Sequence, residues 1–267
     1  SIHVMIQLEN VSVRYEDTVA LHPVSLGIHE GQFTVLLGSS GAGKSTFLRC
    51  LNLMHSRISG RVRVSGFDGN WNRKALQKLR RETGMIFQQH QLIERQSALQ
   101  NVLMGRFGYH SVLRSLFPLS EAEQKLGLQS LKRVGLLDKA LCRVDQLSGG
   151  QQQRVGIARV LAQQPKTILA DEPVASLDPA TADEVLELLH SICREDGISA
   201  VVSLHQVDLA RKYADRIIGL AGGRVVFDGV PETLTEAGIE ELYRNRRSGT
   251  EASMADPLPN FSLPLAS

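Results

Sequence analysis

The sequence predicts an α/β protein with a mainly parallel central sheet, an antiparallel β subdomain at the N-terminus and an α-helical subdomain inserted partway along. Three observations predict it. The first sixty or so residues alternate polar and apolar as strands do. A glycine loop stands between a compact apolar run and a helix. Two short β-rich runs beyond residue 165 are separated by a long helical segment, the alternation of a parallel sheet.

Taken in order, "IQLENVSVRY" and "ALHPVSLGI" read as half-exposed strands, and "FTVLL", bounded by Gly31 and Gly38, as a buried one. The pattern then switches to a helix, "KSTFLRCLNLM", with Phe47, Leu48, Leu51 and Met54 at helical spacing, and "SGRVRVSG" follows as a short strand. From about residue 88 to 160 the text is polar and helical ("QSALQNVLMGRF", "SEAEQKLGLQSLKRVGL", "QQQRVGIARVLAQQ") and no run in it reads as a convincing strand; this is the inserted helical subdomain. Beyond it "TILAD" and "SAVVSLH" read as strands on either side of the helix "PATADEVLELLHSICRED", with Asp178 as N-cap and Pro179 in the first turn. "RIIGLAGGRVVFDG" reads as a hairpin turned at Gly222 and Gly223. Residues 1–247 are thus expected to form one domain, and 248–267, with little periodicity, a flexible tail. No tandem repeat is present.

Bulk properties narrow the partners. In 267 residues, 30 basic against 28 acidic side chains leave a formal charge of +2, too small and dispersed to imply nucleic-acid binding. Cys50, Cys142 and Cys193 are odd in number, far apart and without C-x-x-C spacing or nearby His, which argues against a disulfide framework or a zinc site and for a reducing cytoplasm. No apolar run approaches the roughly 20 residues that span a bilayer, and the N-terminus lacks the apolar core of a signal peptide. Any membrane role is therefore expected to be peripheral.

"GSSGAGKS", Gly38 to Ser45, fits the phosphate-loop pattern G-x-x-x-x-G-K-[ST], which makes the core a P-loop NTPase. Glycines permit the tight loop and backbone N–H groups converge on phosphate. Lys44 reaches the β and γ oxygens, and Ser45 offers a hydroxyl to magnesium. A chain of this length would match by chance about once in a hundred, and the strand before and helix after lower that further. "TILADEP" is an apolar strand ending in two acids. At the carboxyl end of a parallel strand Asp171 faces the magnesium shell and Glu172 can polarise the attacking water. Pro173 disfavours helical backbone at Glu172, so that carboxylate is expected on extended chain. Without the P-loop, the pair would read as solvated acids at a strand exit.

Three further residues are weaker alone. His205 follows "SAVVSL" at the ligand-binding edge of such sheets, where the bland alternative is a capping or surface residue. Gln88 follows the apolar run "MIF". Tyr15, by itself, is an aromatic at a strand edge. "LSGGQQQR" places Ser148, Gly149 and Gly150 at the start of a helix carrying Val155, Ala158 and Ala162 on one stripe, so free N–H groups and the positive dipole end point outward. In isolation it reads as an ordinary cap. Beside the P-loop, it poses the question why one chain needs two anion-binding helix starts.

These pieces in this order resemble the ATPase subunits of ABC transporters over nearly the whole chain: P-loop "GSSGAGKST", Q-loop "FQQ", signature "LSGGQQQR", Walker B "ILADEP", D-loop "SLD" and switch histidine "LHQ". The resemblance implies an answer: two copies face head to tail, and each ATP lies between the P-loop of one and the signature of the other. It implies Gly38, Ser39, Ser40, Gly41, Ala42, Gly43, Lys44, Ser45 and Thr46 around the phosphates, Ser45, Asp171 and Gln88 at magnesium, and Glu172 as general base. It further implies His205 at the γ-phosphate, Tyr15 stacked on adenine, Asp178 communicating across the dimer, and Ser148, Gly149 and Gly150 completing the partner's γ-phosphate shell. The partners implied are a second copy, two integral-membrane permease subunits at the cytoplasmic face of the inner membrane and, indirectly, a periplasmic or extracellular solute-binding protein. Leu92 and Ile93 are candidates for a groove receiving a permease helix.

A narrower resemblance is to phosphonate importer ATPases, whose relatives carry phosphite or hypophosphite. It rests on "DEPVASLDP", "LHQVDLARKYADRIIGL" and "FQQHQLIERQSALQNVLMGRFG". "YHSVLRSLF" departs from it, lacking a tryptophan near Val112. The alternatives are an importer of another small solute, such as an amino acid, or a non-transport ABC ATPase. A chromosome or repair ATPase would need heptad arms or zinc modules, and a translation factor two nucleotide domains in tandem; neither is present. A P-loop kinase or GTPase leaves "LSGGQQQR" unexplained.

Overall fold

A computed structural model of the chain describes residues 3–53, 57–65, 67, 71–88, 91–109 and 119–244. Strands β1 (Val4–Tyr15) and β2 (Thr18–His29) pair antiparallel. After β3 (Phe33–Leu37) come the glycine loop and α1 (Lys44–Leu51), and β4 (Ile58–Val64) returns to β1 to complete a three-stranded antiparallel sheet, β2-β1-β4. Met54, expected on the helix, lies outside the described residues, as do the tail from Ser248 and Val112.

The second sheet has the order β5-β6-β7-β3-β8-β9, with β5 (Thr83–Ile86), β6 (Thr167–Ala170), β7 (Ser199–Leu204), β8 (Arg216–Ala221) and β9 (Arg224–Gly229). Its first five strands run parallel, and β9 turns back antiparallel through Gly222 and Gly223, whose φ of 54° and 73° suit a mirror-image hairpin turn.

Every residue of β3, β6 and β7 is buried because two cores clasp the sheet. Strand periodicity deals successive side chains to opposite faces. Phe33, Val35 and Leu37, with Ile168, Ala170, Ala200, Val202 and Leu204, join the core under the helices, while Leu36, Leu169 and Val201 join the core under α1 and the antiparallel sheet. This alternation decides which face Asp171 and its neighbours share.

Between β5 and β6 lie α3 (Ala98–Leu103), α4 (Glu121–Arg133) and α5 (Gly149–Ala162), and the described residues there hold only an isolated bridge, Ser97 to Arg143, in place of strands. Ser97, Ser120 and Ser148 begin the three helices with reciprocal capping boxes to Gln100, Glu123 and Gln151. Val102, Leu131 and Val155 bring the helices together in the larger core. The fully buried Asn101 clamps the segment ahead of α3. Its Nδ2 donates to the Ile93 carbonyl at 3.0 Å, and its Oδ1 accepts the Ile93 N–H at 2.7 Å.

Three helices have no strong apolar signature in the sequence: α2 (Arg73–Glu82), α7 (Val207–Tyr213) and α8 (Glu236–Tyr243). Arg-rich α2 buries only Leu79. Asp178 caps α6 (Pro179–Asp196), accepting the Thr181 N–H at 3.1 Å, and these hydrogen bonds hold its carboxyl below the ordinary carboxylate range.

Candidate functional site

The carboxyl ends of β3, β6 and β7 meet where a parallel sheet holds its ligand. Gly38 leaves β3 against β8: a Cβ there would lie 2.4 Å from the Leu220 carbonyl oxygen, so only glycine allows the backbone this close. Gly41 and Gly43 take φ of 78° and 101°, turning the loop back over the start of α1. Gly43 is the N-cap and has no side chain to cap with, so the first N–H groups of α1 stay available to an anion. Ser40 and Gly41 are exposed at the loop's crest, Ala42 is buried beneath it, and Thr46 is half-buried on α1.

Lys44, on the first turn of α1, folds under the loop. Its Nζ donates to the carbonyl oxygens of Gly38 and Ser39, both at 2.9 Å, and lies 3.2 Å from Glu172 Oε1. The lysine side chain is 3% exposed, so its charge needs these partners. One residue on, Ser45 Oγ donates to Asp171 Oδ1 at 3.1 Å. A hydroxyl touching a carboxylate is the hard-oxygen donor set that suits magnesium when phosphates supply the remaining ligands. His205, beyond β7, has Nδ1 3.9 Å from Glu172 Oε2, and its carbonyl accepts the Tyr243 hydroxyl of α8 at 2.8 Å. Lys44, Ser45, Asp171, Glu172 and His205 therefore form one cluster drawn from three strand ends.

The backbone at Glu172 corrects the expectation of extended chain: φ is +45°, in the left-handed region. Pro173 does disfavour the right-handed helical region, but the chain must reverse here, with Ala175 N–H donating to the Glu172 carbonyl at 3.2 Å. The Glu172 N–H is drawn into the sheet by Ser203 Oγ at 2.8 Å. Tertiary hydrogen bonds override the local preference.

Ser203 is absent from every motif read in the sequence. Its Oγ donates to Asp171 Oδ1 at 2.9 Å while accepting the Glu172 N–H. The signal that could have found it is strand parity. Leu169 and Val201 face the same core, so Asp171 and Ser203, two residues on from each, share that face.

The other expected residues stand apart from the cluster. Gln88 is exposed two residues past β5. Tyr15 ends β1, with the Arg57 guanidinium 5.8 Å from its ring centroid. Ser148 is the N-cap of α5: its Oγ accepts the Gln151 N–H at 3.2 Å and its own N–H donates to Gln151 Oε1 at 3.0 Å. Gly150 packs so near α6 that a Cβ would be 2.5 Å from Thr181 Cγ2. The α5 and α6 N-termini, and with them Ser148 and Asp178, are thereby neighbours.

A family model described as ABC transporter matches residues 21–175. A phosphonates import ATP-binding protein of Nostoc sp. is 56% identical over 98% of this chain and 99% of that protein. A phosphite import ATP-binding protein of Stutzerimonas stutzeri is 57% identical over 97% of this chain and 94% of that protein. Among solved structures, a component of an ABC transporter complex from Clostridium perfringens superposes with a TM-score of 0.77 at 32% identity, over 88% of this chain and 92% of that one. A dimeric ATP-binding cassette in a post-hydrolysis state, bound to ADP and Pi, does so with a TM-score of 0.73 at 37% identity, over 85% and 99%.

Proposed function

This chain belongs to the ABC transporter ATP-binding family, and from that premise we propose that it hydrolyses ATP to power an importer of phosphonate or a related reduced-phosphorus oxyanion. The observation that carries the ATPase reading is the convergence of Lys44, Ser45, Asp171, Glu172 and His205 at adjoining strand ends. The solute reading rests on relatives that import phosphonates and phosphite and align along nearly the whole chain.

The site's own residues divide the work. Lys44 leaves Glu172 to meet the β and γ oxygens, and the freed Glu172 carboxylate takes a proton from water as the water oxygen attacks the γ-phosphorus. The bond to the β-phosphate oxygen breaks, and ADP and phosphate leave. His205 holds the γ-phosphate. Ser45, Asp171 and Gln88 would hold Mg2+, which when bound neutralises charge on the β and γ oxygens. Positioning and charge stabilisation supply most of the acceleration.

The reaction chamber is completed by a second copy, head to tail. Ser148, Gly149 and Gly150 of each copy close over the γ-phosphate held by the other's P-loop, and Tyr15 stacks on adenine. ATP binding draws the pair together and hydrolysis releases it. Glu172→Gln then binds ATP, turns over very slowly and accumulates as a closed dimer; normal turnover in that variant would remove Glu172 from the role of base.

Two permease subunits are the further partners, with an external solute-binding protein beyond them, and the chain works at the cytoplasmic face of the membrane. Among the described residues no helix is long and apolar enough to cross a membrane. We place the permease contact beside Leu92, which packs on the core, and Ile93, which is 42% exposed. The neighbouring cavity, of about 820 Å³, is lined among the described residues by Arg73, Arg80, Arg81 and Arg159, and Arg159 reaches the Gln91 carbonyl at 3.1 Å. Reconstitution with the neighbouring permease and binding-protein genes tests the solute: ATP turnover stimulated by phosphonate or phosphite supports the reading, and stimulation by an amino acid alone overturns it.

A further inference from the structure

Ser203 makes two contacts that no motif accounts for. It is fully buried on β7, and its one hydroxyl is used in both directions, donating to Asp171 and accepting from the Glu172 backbone. Both partners belong to the reaction proposed above, on which this inference rests. Glu172 holds a φ of +45°, a strained conformation for a non-glycine residue, and Pro173 leaves extended backbone as the ready alternative. Extended backbone would swing the carboxylate away from its place between Lys44 Nζ and His205 Nδ1. The Ser203 hydroxyl is the tertiary contact that opposes this swing. It also meets Asp171 on the oxygen that accepts from Ser45, fixing that carboxylate's orientation against α1.

We infer that Ser203 is a positioning residue for hydrolysis, locking the backbone of Glu172 and the carboxylate of Asp171 into one arrangement. β7 thus delivers two groups to the site, His205 at its end and Ser203 within it. Because Ser203 touches neither Lys44 nor the glycine loop in this network, its loss is expected to lower turnover without weakening nucleotide binding.

The test uses the full chain with Ser203→Ala, Ser203→Val and Ser203→Thr, with Glu172→Gln as reference, reading MgATP turnover and the affinity for a fluorescent ADP analogue. Val and Thr share a shape and differ in the hydroxyl, so the pair separates hydrogen bonding from packing. Ser203→Ala and Ser203→Val are expected to lose about 10-fold or more in kcat, as the loss of a bond to a charged group does, with ADP bound no more than about twofold more weakly than by the parent. Ser203→Thr is expected to keep at least about a third of parental turnover. Parental kcat in the Ala and Val variants overturns the inference, as does a Thr variant as slow as Val, or loss of ADP affinity in step with turnover. If Val fails to fold, the Ala variant decides. Undiminished turnover in Glu172→Gln would instead overturn the reading of the site itself, whatever Ser203 does.

Discussion

Lys44 Nζ lies 3.2 Å from Glu172 Oε1, joining the cation we assign to the phosphates to the carboxylate we assign to the attacking water. The pair is largely shielded, with the two side chains 3% and 22% exposed. A nucleotide must therefore compete with Glu172 for Lys44. Glu172→Gln removes the competitor and its repulsion of phosphate, so ADP affinity in metal-free buffer is expected to rise about 5-fold, roughly 1 kcal/mol. Unchanged or weaker ADP binding by titration calorimetry would contradict this.

Gly38 and Gly41 fail on substitution for different reasons. Gly38→Ala drives a Cβ against the Leu220 carbonyl, whereas Gly41→Ala has open space but a φ of 78°. The first is expected to cost about 1–3 kcal/mol of stability and about 10-fold or more in nucleotide affinity, the second about 1 kcal/mol. Urea unfolding and nucleotide titration check both.

Ser148→Ala removes the N-cap of α5, at a cost of about 1 kcal/mol in urea unfolding. On the proposed reading, in which Ser148 serves the partner's nucleotide, ADP affinity of the isolated chain should hold while ATP turnover drops. Equal losses of ADP binding and turnover would place Ser148 in its own chain's site.

Burial pushes the thiols of Cys50 and Cys193 up to about 12, while Cys142 is partly exposed. At pH 8 a thiol reagent is expected to label Cys142 quickly and the other two only on unfolding. Prompt labelling of Cys50 would mean that α1 does not pack as described.

Much of this was legible in the sequence because local chemistry and tertiary need agree. The run "FTVLL" is apolar at every position but Thr34 because both its faces are covered, Asp178 and Pro179 open a helix in the way their side chains favour, and Gly222-Gly223 turns a hairpin. The illegible parts are those where they disagree or where little apolar surface is involved. Helix α2 shows Arg and Lys at half of its positions because it buries only Leu79, and α7 and α8 are too short for a clear period. Glu172 departs from the preference before proline because Ser203 and the turn to Ala175 claim its backbone. Ser203 itself hides in "SAVVSL", where it reads as one more strand residue until strand parity sets it beside Asp171. Gln88, Tyr15 and Ser148 take their expected roles from family resemblance, for their partners in those roles are magnesium, a nucleotide and a second chain.

The shared chamber is tested most directly by a structure of Glu172→Gln trapped with ATP and Mg2+. Two copies are expected head to tail, with Ser148 Oγ and the Gly149 and Gly150 amides within hydrogen-bond distance of the γ-phosphate on the opposite P-loop. A nucleotide enclosed by one chain alone, with Ser148 facing solvent, would contradict it.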